Sequence, residues 1–294
     1  VYDMKTVFGF FPKAALAAQK GLPISDDQGD RYNKSNAIEG VDPAFLNADG
    51  AVDLKIRPAP WFDSTARLSL PYLLMIDRVR TALPNGGADG LGEYRAEKDV
   101  DPNEWFFKAH FFQDPVQPGS LGIEAMVQLL QFAMLHQGMH EGVDNPRFEP
   151  LAMGRPLTWK YRGQVQPHNS KIGCTLQINE KGVDDKGPYA VATASLWVDG
   201  LRIYEASNVG MRITSAPAGD IALPPQTDFV LTEVSPTDPW LSDHRPTFTV
   251  AAIPLMVMTD WIARAAQRPG LVTVGLRDVA VKRWLPVTST KTIR

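Results

Sequence analysis

Residues 120–136 read Ser-Leu-Gly-Ile-Glu-Ala-Met-Val-Gln-Leu-Leu-Gln-Phe-Ala-Met-Leu-His, and this stretch limits the possible folds more than any other. It predicts a helix that is apolar on nearly every face, and such a helix must lie inside the protein with other elements around it. One carboxylate, Glu124, sits in its second turn, and burying a lone carboxylate is costly. Pro118-Gly119 marks the start of the helix. A glycine there lets a ligand oxygen approach free N–H groups with the helix dipole behind them. Just upstream, an aromatic, strand-like run from Trp105 carries His110. One stretch thus supplies a candidate base, a candidate acid and an oxyanion-type donor.

The remaining composition mostly excludes. A length of 294 residues suggests about two domains. A net charge of −3 without a basic run gives no support for nucleic-acid binding. The single cysteine, Cys174, excludes an intrachain disulfide and fits a reducing, cytoplasmic setting. No C-x-x-C or H-E-x-x-H pairing suggests a metal. No apolar run reaches about 18 residues, so no membrane span is expected.

Along the chain, Val1-Tyr-Asp-Met-Lys-Thr-Val reads as a strand and resembles Ile203-Tyr-Glu-Ala-Ser-Asn-Val209. A short helix is expected at residues 14–20, then a polar, turn-rich lead-in with a solvated loop at residues 25–30. Asn85-Gly-Gly-Ala-Asp-Gly-Leu-Gly lacks the Gly-Lys-Ser/Thr ending of a phosphate loop and reads as a hairpin turn before a strand at residues 92–98. Strands are expected at residues 156–166, 170–180, 189–198 and 201–213, with Asp199-Gly200 as a hairpin signal. One buried helix plus several antiparallel strands is an α+β layout. His136, His140 and His168 read as surface residues, and Cys174 as core.

Beyond a Pro-rich linker at residues 214–225, several features recur. Asp101-Pro…Trp105…His110 is echoed by Asp238-Pro-Trp240…His244. Pro118 precedes Glu124 by the same interval as Pro254 precedes Asp260. Such echoes in order predict a structural repeat. The expected organisation is a tail of a preceding unit plus linker over residues 1–66, a complete unit over 67–215, and a second, incomplete and more degenerate unit over 226–294. That is the pattern of a piece of a longer tandem array.

The segment Trp105-Phe-Phe…His110-Phe…Asp114-Pro-Val…Pro118-Gly…Leu-Gly-Ile-Glu124-Ala-Met-Val-Gln128 resembles the signature of the β-hydroxydecanoyl-carrier-protein dehydratase/isomerase family. Leu74-Met-Ile-Asp-Arg-Val and Val198-Asp-Gly-Leu-Arg-Ile-Tyr-Glu-Ala-Ser extend the match over about residues 68–213. The tandem arrangement resembles the dehydratase region of bacterial polyunsaturated fatty acid synthases of the polyketide-synthase type. The resemblance implies a hotdog fold, in which an antiparallel sheet wraps a long buried helix, here as a tandem double hotdog. It implies a hydro-lyase that converts 3-hydroxyacyl thioesters to 2-enoyl thioesters, with isomerisation to a 3-cis product as a further capability. The substrate would ride on the phosphopantetheine of an acyl carrier protein, and no cofactor or metal would be needed. Partners would be carrier-protein domains and other domains of the same synthase.

The family pattern departs at Ser120, where cysteine is usual, and at Glu124, where the isomerase branch has Asp. In the second unit Leu255 replaces the glycine and Arg264 stands in the place of Gln128. By resemblance, the histidine of one hotdog meets the acid of its neighbour. If the units pair as a pseudo-dimer, His110 and Gly119 meet Asp260, and His244 meets Glu124. If units pair between chains in a homodimer, His110 meets Glu124 of another chain. Gln128, one turn after Glu124, is placed to orient the acid. The rival readings are a hotdog acyl thioesterase and a non-catalytic structural or docking region of a megasynthase.

Overall fold

The computed structural model describes residue 14 and residues 20–69, 71–111, 113–150, 154–215, 232–242, 252–266 and 285–293. The chain divides into two compact units, Val1–Pro217 and Ala218–Arg294.

The first unit is built on the apolar helix, which runs Gly119–His136. In chain order its elements are α1 (Asp26–Asn33), β1 (Ala37–Ile38), β2 (Val52–Asp53), α2 (Ala59–Phe62), β3 (Arg78–Leu83), β4 (Glu93–Asp99), α3 (Trp105–Ala109), α4 (Gly119–His136), β5 (Pro146–Pro150), β6 (Thr158–Tyr161), β7 (Lys171–Asp184), β8 (Gly187–Val198) and β9 (Leu201–Ser215). Among the described residues, nine strands form one sheet in the order β1-β3-β4-β7-β8-β9-β5, with β2 paired to β3 and β6 to β9. All pairings are antiparallel except β1 with β3.

The sheet wraps α4, which packs on β4, β7, β8 and β9. Met126, Leu129, Leu130, Phe132, Ala133 and Met134 have no solvent exposure. A helix with no polar stripe leaves the sheet no alternative to enclosing it. The result is the α+β hotdog architecture.

Local chemistry explains several elements. Asp199 and Gly200 hold φ of 48° and 86° between β8 and β9. Two positive-φ residues form the two-residue turn whose twist matches the paired strands. The Asp199 carboxylate then accepts hydrogen bonds from the Ser170 and Lys171 N–H groups at 3.0 and 2.8 Å. Residues 85–92 connect the antiparallel strands β3 and β4, the hairpin expected there. Cys174 is buried in β7.

The structure differs from the sequence reading in several places. Residues 25–30 are not a loop: Ser25 caps α1 through a capping box with Gln28. The aromatic run at Trp105 is the helix α3 rather than a strand. Its β-like composition is overridden by packing, since Phe106 and Phe107 are buried on one side. The strand expected over residues 156–166 is confined to β6. Residues read as tail and linker contribute β1, β2 and α2 to the first unit, and Leu54, Trp61 and Phe62 join its core. Trp61 stacks on Phe132 of α4 at 4.7 Å.

In the second unit, β10 (Thr232–Val234) pairs antiparallel with β11 (Lys291–Ile293). Between them lie α5 (Pro239–Ser242) and α6 (Leu255–Ala265), the latter N-capped by Pro254 as Pro118 caps α4. Val234, Leu241, Ile253 and Val287 form its small core.

Candidate active site

His110 is the C-cap of α3, its N–H bonded to the Phe106 carbonyl at 2.9 Å. The chain then loops back, and Val116 N–H donates to the His110 carbonyl at 2.8 Å. This brings the Val116 carbonyl 2.9 Å from His110 Nδ1. A carbonyl only accepts, so Nδ1 carries the proton, and in the neutral ring Nε2 keeps its lone pair. The imidazole is half-buried and lies against the exposed Phe111, with ring centroids 3.7 Å apart. The result is a fixed tautomer.

Beyond this loop, α4 presents its acid. Glu124 is half-buried, and its Oε1 accepts from Gln128 Nε2 at 2.8 Å. Gln128 has no solvent exposure and is held on all sides. Its Nε2 also donates to the Leu73 carbonyl at 2.7 Å, with Ser69 Oγ more distant at 3.3 Å, and its Oε1 accepts from Met75 N–H at 2.7 Å. Glu124 is therefore oriented by an amide that is itself anchored to residues 69–75. Among the described residues, no hydrogen bond joins His110 to Glu124.

Gly119 is the first residue of α4, and no side-chain cap covers this helix start. First-turn N–H groups lack intrahelical acceptors, so this end offers donors to an oxyanion. A Cβ on Gly119 would meet the rings of Trp159 and Tyr161 of β6 at 3.0 and 3.1 Å. The sequence alone does not single out these two aromatics, nor Ser69, Leu73 and Met75. Nothing local marks them, because each meets α4 through tertiary contact.

Asp260 lies on α6 of the second unit. Its carboxylate is about half exposed and pairs with Arg264 Nε at 2.9 Å. An ion pair thus occupies the i, i+4 position that holds the Glu124–Gln128 hydrogen bond in the first unit. His244 lies outside the described residues.

His136 is not the surface residue expected. Its Nε2 donates to the Glu39 carbonyl at 2.7 Å, and its Nδ1 lies 3.2 Å from the Tyr94 hydroxyl. Burial lowers its pKa below the usual value, outweighing the opposing bond to Glu39. His140 Nδ1 is likewise buried, without a hydrogen-bond partner among the described residues.

The hotdog unit thus carries a histidine with one fixed tautomer, an amide-anchored carboxyl group and a Pro-Gly helix start without a side-chain cap. Residues 68–207 match the FabA-like domain family. The chain is 33% identical over 230 residues to a polyunsaturated fatty acid synthase polypeptide of Thraustochytrium sp.. That alignment covers 73% of the chain but 14% of the relative's length. Among solved structures, a dehydratase heterocomplex from Xenorhabdus doucetiae aligns with 11% identity and a TM-score of 0.34, covering 51% of this chain and 88% of that one. A mutant thioesterase from Pseudomonas aeruginosa aligns with 12% identity and a TM-score of 0.29, covering 42% and 76%. Likeness at those scores says nothing about chemistry.

Proposed function

We propose that this chain dehydrates 3-hydroxyacyl thioesters to 2-enoyl thioesters on an acyl carrier protein, as one region of a polyunsaturated fatty acid synthase. The observation that carries the reading is the His110 Nδ1–Val116 carbonyl contact, which leaves Nε2 to act as the base. The FabA-like domain and the similarity to the Thraustochytrium synthase support the same reading.

In this mechanism His110 Nε2 takes a proton from C2 of the substrate. The developing negative charge moves onto the thioester oxygen, where the Gly119 N–H stabilises it; such a donor is worth about 3–4 kcal/mol in the transition state. The C2=C3 bond forms as the C3–O bond breaks, and a protonated carboxyl group gives its proton to the departing hydroxide, releasing water. By resemblance the acid comes from a neighbouring hotdog: Asp260 within the chain, or Glu124 of another chain. The base, the acid and the oxyanion donor are all protein groups, so the reaction needs no metal or bound cofactor. Removing a proton from C4 of the 2-enoyl product and returning one to C2 would shift the double bond to C3=C4 and give the 3-cis isomer, which we place as a second step of the same site. Carrier-protein and other synthase domains would be its partners, in the cytoplasm.

The test is turnover of a 3-hydroxyacyl thioester by wild type, His110→Ala and Glu124→Gln, read by enoyl absorbance and product mass. Loss of enoyl product by about a hundredfold or more in His110→Ala is expected. A Glu124→Gln variant with full activity would assign the acid to Asp260. Free thiol released without enoyl product would replace the reading with a thioesterase, and a folded but inert wild type would replace it with a structural role.

A further inference from the structure

We infer that Trp159 and Tyr161 are positioning residues that hold the Gly119 N–H group where a thioester oxygen needs it, an inference that rests on the dehydratase reading above. The start of α4 has two glycines three residues apart, Gly119 and Gly122, which share one face of the helix. Opposite that face lie three aromatic rings. Trp159 and Tyr161 point to the same side of β6, and the strand pairing sets Tyr161 opposite Tyr204 of β9. Ring centroids are 4.8 Å apart for Tyr161 and Tyr204, 5.5 Å for Trp159 and Tyr204, and 5.8 Å for Trp159 and Tyr161.

The rings touch the helix start directly. A Cβ on Gly119 would lie 3.0 Å from Trp159 Cη2 and 3.1 Å from Tyr161 Cε2, and a Cβ on Gly122 would lie 2.1 Å from Tyr204 Cε2. At Gly122 no other residue type fits without a rearrangement, and at Gly119 a Cβ would push the rings away by a few tenths of an ångström.

The three rings differ in what they do. Tyr204 is 1% exposed and belongs to the core. Trp159 is 39% exposed and sits on a short strand whose other residues are mostly exposed. Core burial therefore does not account for an indole there, whereas contact with Gly119 does. A helix start without a side-chain cap has nothing of its own to fix its first peptide. Two ring edges against the Gly119 Cα supply that restraint from the sheet side. An oxyanion donor acts only within about 2.7–3.1 Å of the developing charge, and misplacement by about 1 Å can cost on the order of a hundredfold in rate.

The test measures kcat and KM for dehydration of a 3-hydroxyacyl thioester by the 294-residue chain, comparing wild type, Trp159→Ala, Trp159→Phe and His110→Ala, with melting curves for each. A donor that wanders affects the transition state more than the bound substrate. Trp159→Ala is therefore expected to lower kcat by about ten- to a hundredfold with KM within about threefold, and to melt cooperatively. Trp159→Phe, which keeps a ring against Gly119, is expected to recover most of kcat. Three results would overturn the inference: an unchanged kcat in Trp159→Ala, a change confined to KM, or a loss that tracks the folded fraction and is shared by Trp159→Phe. If His110→Ala abolishes enoyl formation while Trp159→Ala does not, only the inference fails. If the folded wild type forms no enoyl product, the dehydratase reading fails and takes the inference with it.

Discussion

Gln128→Leu removes a side chain that makes two short hydrogen bonds inside the protein and one to the candidate acid. Leucine is close in volume, so the cavity term is small, and the cost comes from groups left without partners. Met75 N–H, on a residue 2% exposed, loses its acceptor at 2.7 Å. A buried donor left unsatisfied costs about 1–3 kcal/mol. The Leu73 carbonyl loses its donor at 2.7 Å, but Leu73 is 45% exposed, so water can replace that partner. Glu124 is half-buried and likewise recovers solvent contact in part. The expected destabilisation of the first unit is therefore about 1.5–4 kcal/mol. With a urea slope of about 2 kcal/mol/M, the midpoint should fall by about 0.7–2 M. The assay is urea unfolding read by hydrogen–deuterium exchange on peptides from α4, which confines the signal to the first unit. Enoyl formation should fall as well where Glu124 is the acid, because its carboxyl group is no longer oriented. A midpoint shift below about 0.3 M would refute the argument, since it would mean that the Met75 N–H has another acceptor.

Two further outcomes follow from the packing and the titration of the same helix. Gly122→Ala places a methyl group 2.1 Å from Tyr204 Cε2 and 3.0 Å from Leu196 Cδ2, and this overpacking should cost about 1–3 kcal/mol or more, seen as a lower melting temperature. At the other end of α4, burial holds the folded-state pKa of His136 below its usual value. The unfolded chain then binds a proton that the folded state resists, so stability is full above pH of about 6.5 and declines as pH falls below it. His136→Gln should flatten that slope, and equal slopes in melting temperature between pH 7 and 5 would count against it.

Legibility varies from element to element along the chain. α4 is legible to within a residue of its start because an all-apolar helix between Pro118 and His136 needs no partner information to be read. Asp199-Gly200 is legible because only a few residue pairs adopt positive φ twice in succession. The Glu124–Gln128 hydrogen bond follows from helical spacing alone. By contrast, α1 lies in a polar stretch that reads as loop, although Ser25 and Gln28 are three residues apart and carry the capping-box signal locally. α3 reads as strand because its aromatics favour strands in isolation, and only their burial against the core makes a helix the better choice.

The sequence by itself determined the buried helix, its single acid, its Pro-Gly start and the upstream histidine, because those depend on residues close together along the chain. Only the tertiary structure decided what surrounds them. Gln128 is anchored by residues 53 and 55 positions away, Gly119 rests on Trp159 and Tyr161 of a short strand at the side of the sheet, and His136 is held between the Glu39 carbonyl and the Tyr94 hydroxyl. Those contacts arise when the sheet closes around α4. They depend on which strand lies beside which, and local spacing carries no record of that.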